Sequence, residues 1–160
     1  LYFYWGPFGH AHSNPTILKA NDLVHSFDWL GVKLNQAYAV FTNASCNSKL
    51  PWPDNLKDKA PGQINAFFRW RNIVDTKDKL TMSLFLVSAS GLTPTFKIPQ
   101  AATADISPRR IQNMKVKSGE TFKWTFGSAS GAVKADAAGL ITIAGLKITD
   151  KPTNLTVTKQ

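Results

Sequence analysis

Cysteine is nearly missing from this sequence. Cys46 stands alone, so no disulfide within the chain can hold the fold, and a packed core must do that work. No catalytic motif surrounds Cys46, which reads as a structural thiol. Nor is there an apolar run near the roughly 18–20 residues that a membrane-crossing helix needs. The opening Leu1-Tyr2-Phe3-Tyr4-Trp5 is apolar, but no basic segment precedes it and no small-residue cleavage site follows. It therefore does not read as a signal peptide. Histidine is limited to His10, His12 and His25, with no cysteine or carboxylate at ligand spacing. No metal site and no cofactor are expected. Internal repeats and low-complexity stretches are absent as well.

Negative charge is also scarce. Ten Asp+Glu stand against 19 Lys+Arg, a formal charge of +9. Such a balance raises nucleic acid or an acidic polymer as a partner. The basic residues are scattered singly, however, and only Arg69/Arg71, Arg109-Arg110 and Lys115/Lys117 lie close together. No RNA-binding, helix-turn-helix or zinc-finger pattern accompanies them. The reading is a solvated basic surface, with neither nucleic acid nor a membrane as partner.

What is present is a globular composition: 43% hydrophobic and 18% charged over 160 residues, room for one domain or a domain plus a fragment. Residues 1–36 read as a strand (Leu1–Trp5), a glycine-bounded loop and a short amphipathic helix. The helix starts near Asn21 or Asp22, carries Leu23, Phe27 and Leu30 at i, i+4, i+7, and stops at Gly31. An abrupt aromatic opening suggests the remnant of an upstream domain.

From Ala37 the period changes to two. Strands are expected at 37–42, 64–71, 80–87, 95–98, 109–114, 121–126, 132–135, 140–143 and 154–158, with turns at 75–78, 127–131 and 136–139. Many short antiparallel-type strands without βαβ alternation predict a mainly β fold. The expected architecture is an immunoglobulin-like β-sandwich over 37–160 behind the strand–loop–helix segment.

His10 is the residue with the sharpest chemical reading. It follows a hydrophobic strand on a short loop, where a general base could reach a nucleophile at a sheet edge. In α/β-hydrolases the triad histidine follows the last strand, after the nucleophile and the acid. No Gly-x-Ser-x-Gly elbow exists here. Gly127-Ser128-Ala129-Ser130-Gly131 has alanine at the centre and sits in a turn. A second candidate is Trp52, between Pro51 and Pro53, a loop tryptophan that could present its ring to a sugar. Trp5, Trp29, Trp70 and Trp124 fall in phase with apolar stripes and read as core.

Three segments carry a resemblance. Tyr4-Trp5-Gly6-Pro7-Phe8-Gly9-His10, His25-Ser26-Phe27-Asp28-Trp29-Leu30-Gly31-Val32 and Gly62-Gln63-Ile64-Asn65-Ala66-Phe67-Phe68-Arg69-Trp70-Arg71-Asn72 look like the tail of a bacterial α/β-hydrolase with a C-terminal β-sandwich. The layout is similar to that of PhoPQ-activated pathogenicity-related proteins and acetyl-xylan-esterase-like hydrolases. The resemblance implies a secreted or periplasmic carboxylic-ester hydrolase, with His10 as the triad histidine and the sandwich as an accessory domain of the same polypeptide. The chain by itself would be inactive. The alternative is a carbohydrate-binding module, or a structural domain, with a polysaccharide as partner and Trp52 as its contact.

Overall fold

Alternating apolar and polar residues turn one face of a strand towards a core, and among the described residues seven of eight strands bury side chains in this way, β6 being exposed. The computed structural model describes residues 33–47, 65, 67–87 and 99–160. The chain divides into Leu1–Val32 and Lys33–Gln160, and every described residue belongs to the second unit. The expected N-terminal strand, the helix and the 95–98 strand lie outside the described residues.

The strands are β1 (Tyr38–Thr42), β2 (Phe68–Asp75), β3 (Lys79–Leu86), β4 (Ala101–Arg109), β5 (Thr121–Phe126), β6 (Ala129–Lys134), β7 (Ile143–Thr149) and β8 (Thr153–Lys159). They form two antiparallel sheets, ordered β1-β4-β7 and β2-β3-β8-β5-β6. The inner faces meet as a β-sandwich. Leu80, Met82, Leu84, Leu86, Leu155 and Val157 from the larger sheet are buried with Ile106, Ile143 and Ile148 from the smaller. At one side Phe41 of β1 stacks on Phe68 of β2, ring centroids 4.7 Å apart and 15° between planes. Trp70 stands half-buried beside Phe41 at 6.3 Å.

Among the described residues neither sheet has the strand order of the immunoglobulin scheme, in which one sheet runs A-B-E-D and the other has C, F and G. In the larger sheet β8 holds the central place, and β3, much earlier in the chain, lies beside it, with Met82 opposite Leu155.

No strand runs over 109–114 as the alternation predicted: β4 ends at Arg109, and residues 110–120 are a loop. Its real sequence, Ala101–Arg109, hides the strand. The inward positions Ala102 and Ala104 are small, Asp105 interrupts the run, and Pro108 is a poor ladder residue. Pairing with β7 ends at Ile106↔Ile143, so at Pro108 the strand has a neighbour on one side only. Arg110 then adopts a left-handed φ of 52°.

Two bulges set which side chains point where. Between Ala104↔Leu146 and Ile106↔Ile143, β7 carries one residue more than β4. Gly145 takes φ 65° there, the left-handed geometry such a bulge needs. The Asp105 carboxylate accepts the Gly145 N–H at 2.8 Å and the Asn43 side-chain amide at 2.6 Å. In β2 the extra residue lies between Arg71 and Val74, where Asn72 takes φ 53°. The bulge inverts the alternation, leaving Val74 exposed and Asp75 half-buried.

The hairpin β5–β6 turns through Gly127-Ser128 alone, tighter than the expected turn over 127–131, with left-handed φ at Gly127. Trp124 faces Gly131 directly across the pair. A Cβ on Gly131 would stand 2.9 Å from the indole, so the missing side chain makes room for the ring. Gly131→Ala should therefore destabilise the fold. Overpacking costs about 1–3 kcal/mol, against a gain of about 0.4–1 kcal/mol from stiffening the unfolded chain. Urea unfolding that showed Gly131→Ala at least as stable as the parent would overturn this assignment.

Candidate functional site

The two long connections at one end of the sandwich, residues 110–120 between β4 and β5 and 135–142 between β6 and β7, meet side by side. A carboxylate shapes each. Asp136 accepts the N–H of Ala138 and of Leu140 with the same oxygen, at 2.9 and 2.8 Å, which closes the turn around Gly139. Val116 O would lie 3.3 Å from a Cβ at Gly139, whose φ is 72°, so the loops approach closely only because glycine stands there.

The 110–120 loop is gripped more firmly. The β2 bulge brings Asp75 round to it. Its Oδ2 accepts the N–H groups of Gln112 and Asn113 at 2.6 and 2.9 Å, and Oδ1 that of Met114 at 2.9 Å. The Asn113 side-chain amide adds a bond to the Asp75 carbonyl at 2.9 Å. Met114 is thereby driven into the core, 1% exposed. Further along, Glu120 accepts the Lys117 N–H at 2.9 Å and pairs with the Lys159 ammonium at 3.4 Å. The same ammonium donates to the Lys115 carbonyl at 3.2 Å.

Between these loops lies a groove of about 280 Å³, lined by Pro108, Arg109, Arg110, Ile111, Met114, Lys115, Val116, Gly139 and Leu140. Apolar side chains there are buried or half-buried, while Arg110 and Lys115 are exposed. The donors satisfy carbonyls, not carboxylates. Arg110 reaches Leu34 O at 3.3 Å and Lys115 reaches Gln112 O at 2.7 Å. Lys159–Glu120 is the one ion pair among the described residues. The groove thus carries positive charge that no carboxylate among the described residues pairs with. A smaller hollow of about 180 Å³, with Asn35, Gln36 and Ile73 in its wall, contains Asp75, whose oxygens already hold the loop.

His10 and Trp52 lie outside the described residues. Cys46 is half-buried, and desolvation pushes its thiol above the ordinary value, the opposite of an activated nucleophile. Among the described residues no three of His, Cys, Asp and Glu gather as metal ligands, and no helix is long and apolar enough to cross a membrane. Trp124 and Trp70 pack half-buried against the core, as their phase implied. The groove itself was missed by reading along the sequence. Its signal was two of the three close basic groups, Arg109-Arg110 and Lys115/Lys117, falling on either side of Ile111 and Met114.

No protein-family model, curated protein or solved structure matches this chain. The architecture and the groove define a two-sheet antiparallel β-sandwich with a basic, apolar-lined groove at one end.

Removing the Asp75 carboxylate leaves three loop N–H groups without their acceptor. Asp75→Ala should cost about 2 kcal/mol and bring Met114 into contact with solvent. Chemical denaturation measures the first, and hydrogen exchange at residues 112–114 the second. Unchanged protection there would show that the loop holds itself.

Glu120 supplies a pH dependence. Its carboxyl pKa is held below the ordinary value, first by the Lys117 N–H and also by the Lys159 ammonium. A lowered folded-state pKa adds stability that is present above the unfolded-state value and lost as pH falls through the folded one. The stability difference between the parent and Glu120→Gln should therefore be constant near neutrality. It should shrink once the pH drops below the ordinary carboxylate range. A difference that persisted unchanged at strongly acid pH would contradict this.

Proposed function

We propose that residues 37–160 are a non-catalytic accessory sandwich of a larger secreted bacterial hydrolase. By resemblance the parent is a carboxylic-ester hydrolase, to which His10 contributes the triad histidine while the nucleophile and acid lie upstream. The observation that supports a non-catalytic sandwich is the use made of its carboxylates. Asp75, Asp105, Glu120 and Asp136 each accept backbone N–H groups that shape a loop or bulge. A general acid or base needs a carboxyl free to reach substrate, and these four are committed to the backbone. Asp78 and Asp150 stand exposed in separate hairpin turns. The sandwich would cover the catalytic domain or help to orient substrate. A free-standing polysaccharide-binding module that presents Trp52 is the rival reading.

The test begins with intact mass and N-terminal sequencing of the protein from its source. The proposal expects a longer polypeptide that contains a serine elbow and hydrolyses p-nitrophenyl acetate. His10→Ala should lower kcat by roughly 10³-fold or more, while Lys123→Ala leaves it unchanged. A native chain without an elbow, or full activity in His10→Ala, would sink it.

A further inference from the structure

We propose that the groove between the 110–120 and 135–142 loops binds a carboxylated sugar, one uronate unit of an acidic polysaccharide. Three cations, Arg109, Arg110 and Lys115, border it, and no carboxylate among the described residues lies within ion-pair distance of them. Guanidinium groups match a carboxylate through two parallel N–H bonds. Ile111, Val116 and Leu140 supply half-buried apolar surface in the same groove, suited to the C–H face of a sugar ring. Its volume of about 280 Å³ falls just under the roughly 300–1,000 Å³ of small-molecule sites, a size suited to a single sugar ring.

Two further features favour this ligand over a nucleic acid. No aromatic ring lines the groove, and single-stranded nucleic acids are held largely by stacking on such rings. The cations are also not on a floppy loop. Asp75 fixes residues 112–114, while Lys159 holds the Lys115 carbonyl. Binding therefore loses little conformational freedom of the loop. The inference does not rest on the hydrolase reading, and it places sugar contact at the groove and not at Trp52.

Isothermal titration of the full chain with galacturonate oligomers, set beside neutral galactose oligomers and single-stranded oligothymidylate, tests it. Saturable binding of the galacturonate oligomers alone is expected. Arg109→Gln and Arg110→Gln should each weaken it by roughly tenfold. Lys123→Gln and Lys147→Gln, exposed on the outer faces of β5 and β7, should change it less than about twofold. His10→Ala should leave it unaffected, so failure here is separable from failure of the hydrolase proposal. Thermal melts of the arginine variants establish that they fold. Absence of binding, equal binding of the neutral or thymidylate probes, or equal loss in the lysine variants would each overturn the proposal. So would loss in Trp52→Ala without loss in the arginine variants.

Discussion

Three backbone N–H groups converge on the carboxylate of Asp75, and much of this end of the molecule follows from that contact. The carboxylate reaches them because β2 carries an extra residue at Asn72, one of the few residue types that accept a left-handed φ without large strain. Without the bulge, Asp75 would face the other side of the sheet. With it, Met114 is drawn into the interior and the chain between β4 and β5 acquires a fixed course. The groove, its cations and its apolar wall are all carried on that course.

Among the described residues the two sheets are unequal, three strands against five, and the mismatch governs the packing seen there. The smaller sheet cannot cover the whole inner face of the larger one. Loop residues Met114 and Ile141, both 1% exposed, complete the core. Beyond them β6 is exposed along nearly its whole length. Trp124 shields part of that region by lying against the glycine opposite, a large ring matched to the smallest residue. Asp75, Asp105, Glu120 and Asp136 are engaged by loops and bulges, and none of them pairs with the cations of the groove.

Three strands with large core positions in strict alternation were legible in the sequence. Leu80, Met82, Leu84 and Leu86 announced β3; Phe122, Trp124 and Phe126 announced β5; Leu155 and Val157 announced β8. β7 was not: a strand was expected at 140–143, but β7 runs Ile143–Thr149, and its bulge at Gly145 breaks the alternation of Ile143, Leu146 and Ile148. Nor was β4, because it alternates alanine with threonine and includes Asp105 and Pro108. Its partners tolerate these residues for reasons that lie far away along the chain, at Gly145 and at the end of β7. The groove was invisible for a related reason. Arg109-Arg110 and Lys115/Lys117 could be seen as close pairs, but only the Asp75 clamp brings them around one hollow, and a clamp between residues 75 and 112 has no local signature. His10 and Trp52 stood out because their neighbours are distinctive, and both fall outside the described residues.

The place of β8 has a bearing on how the molecule assembles. β2–β3 and β5–β6 are hairpins with short turns, able to form from nearby residues within microseconds. Neither hairpin pairs with the other. Thr153–Lys159 lies between them, bonded to β3 on one side and to β5 on the other. The five-stranded sheet is therefore two local pieces closed by a late, distant strand, with Ser83 of β3 bonded to Asn154 of β8 across a sequence separation of 71 residues. During synthesis the first hairpin must wait with an open edge until that segment leaves the ribosome, an interval in which the edge is free to pair wrongly.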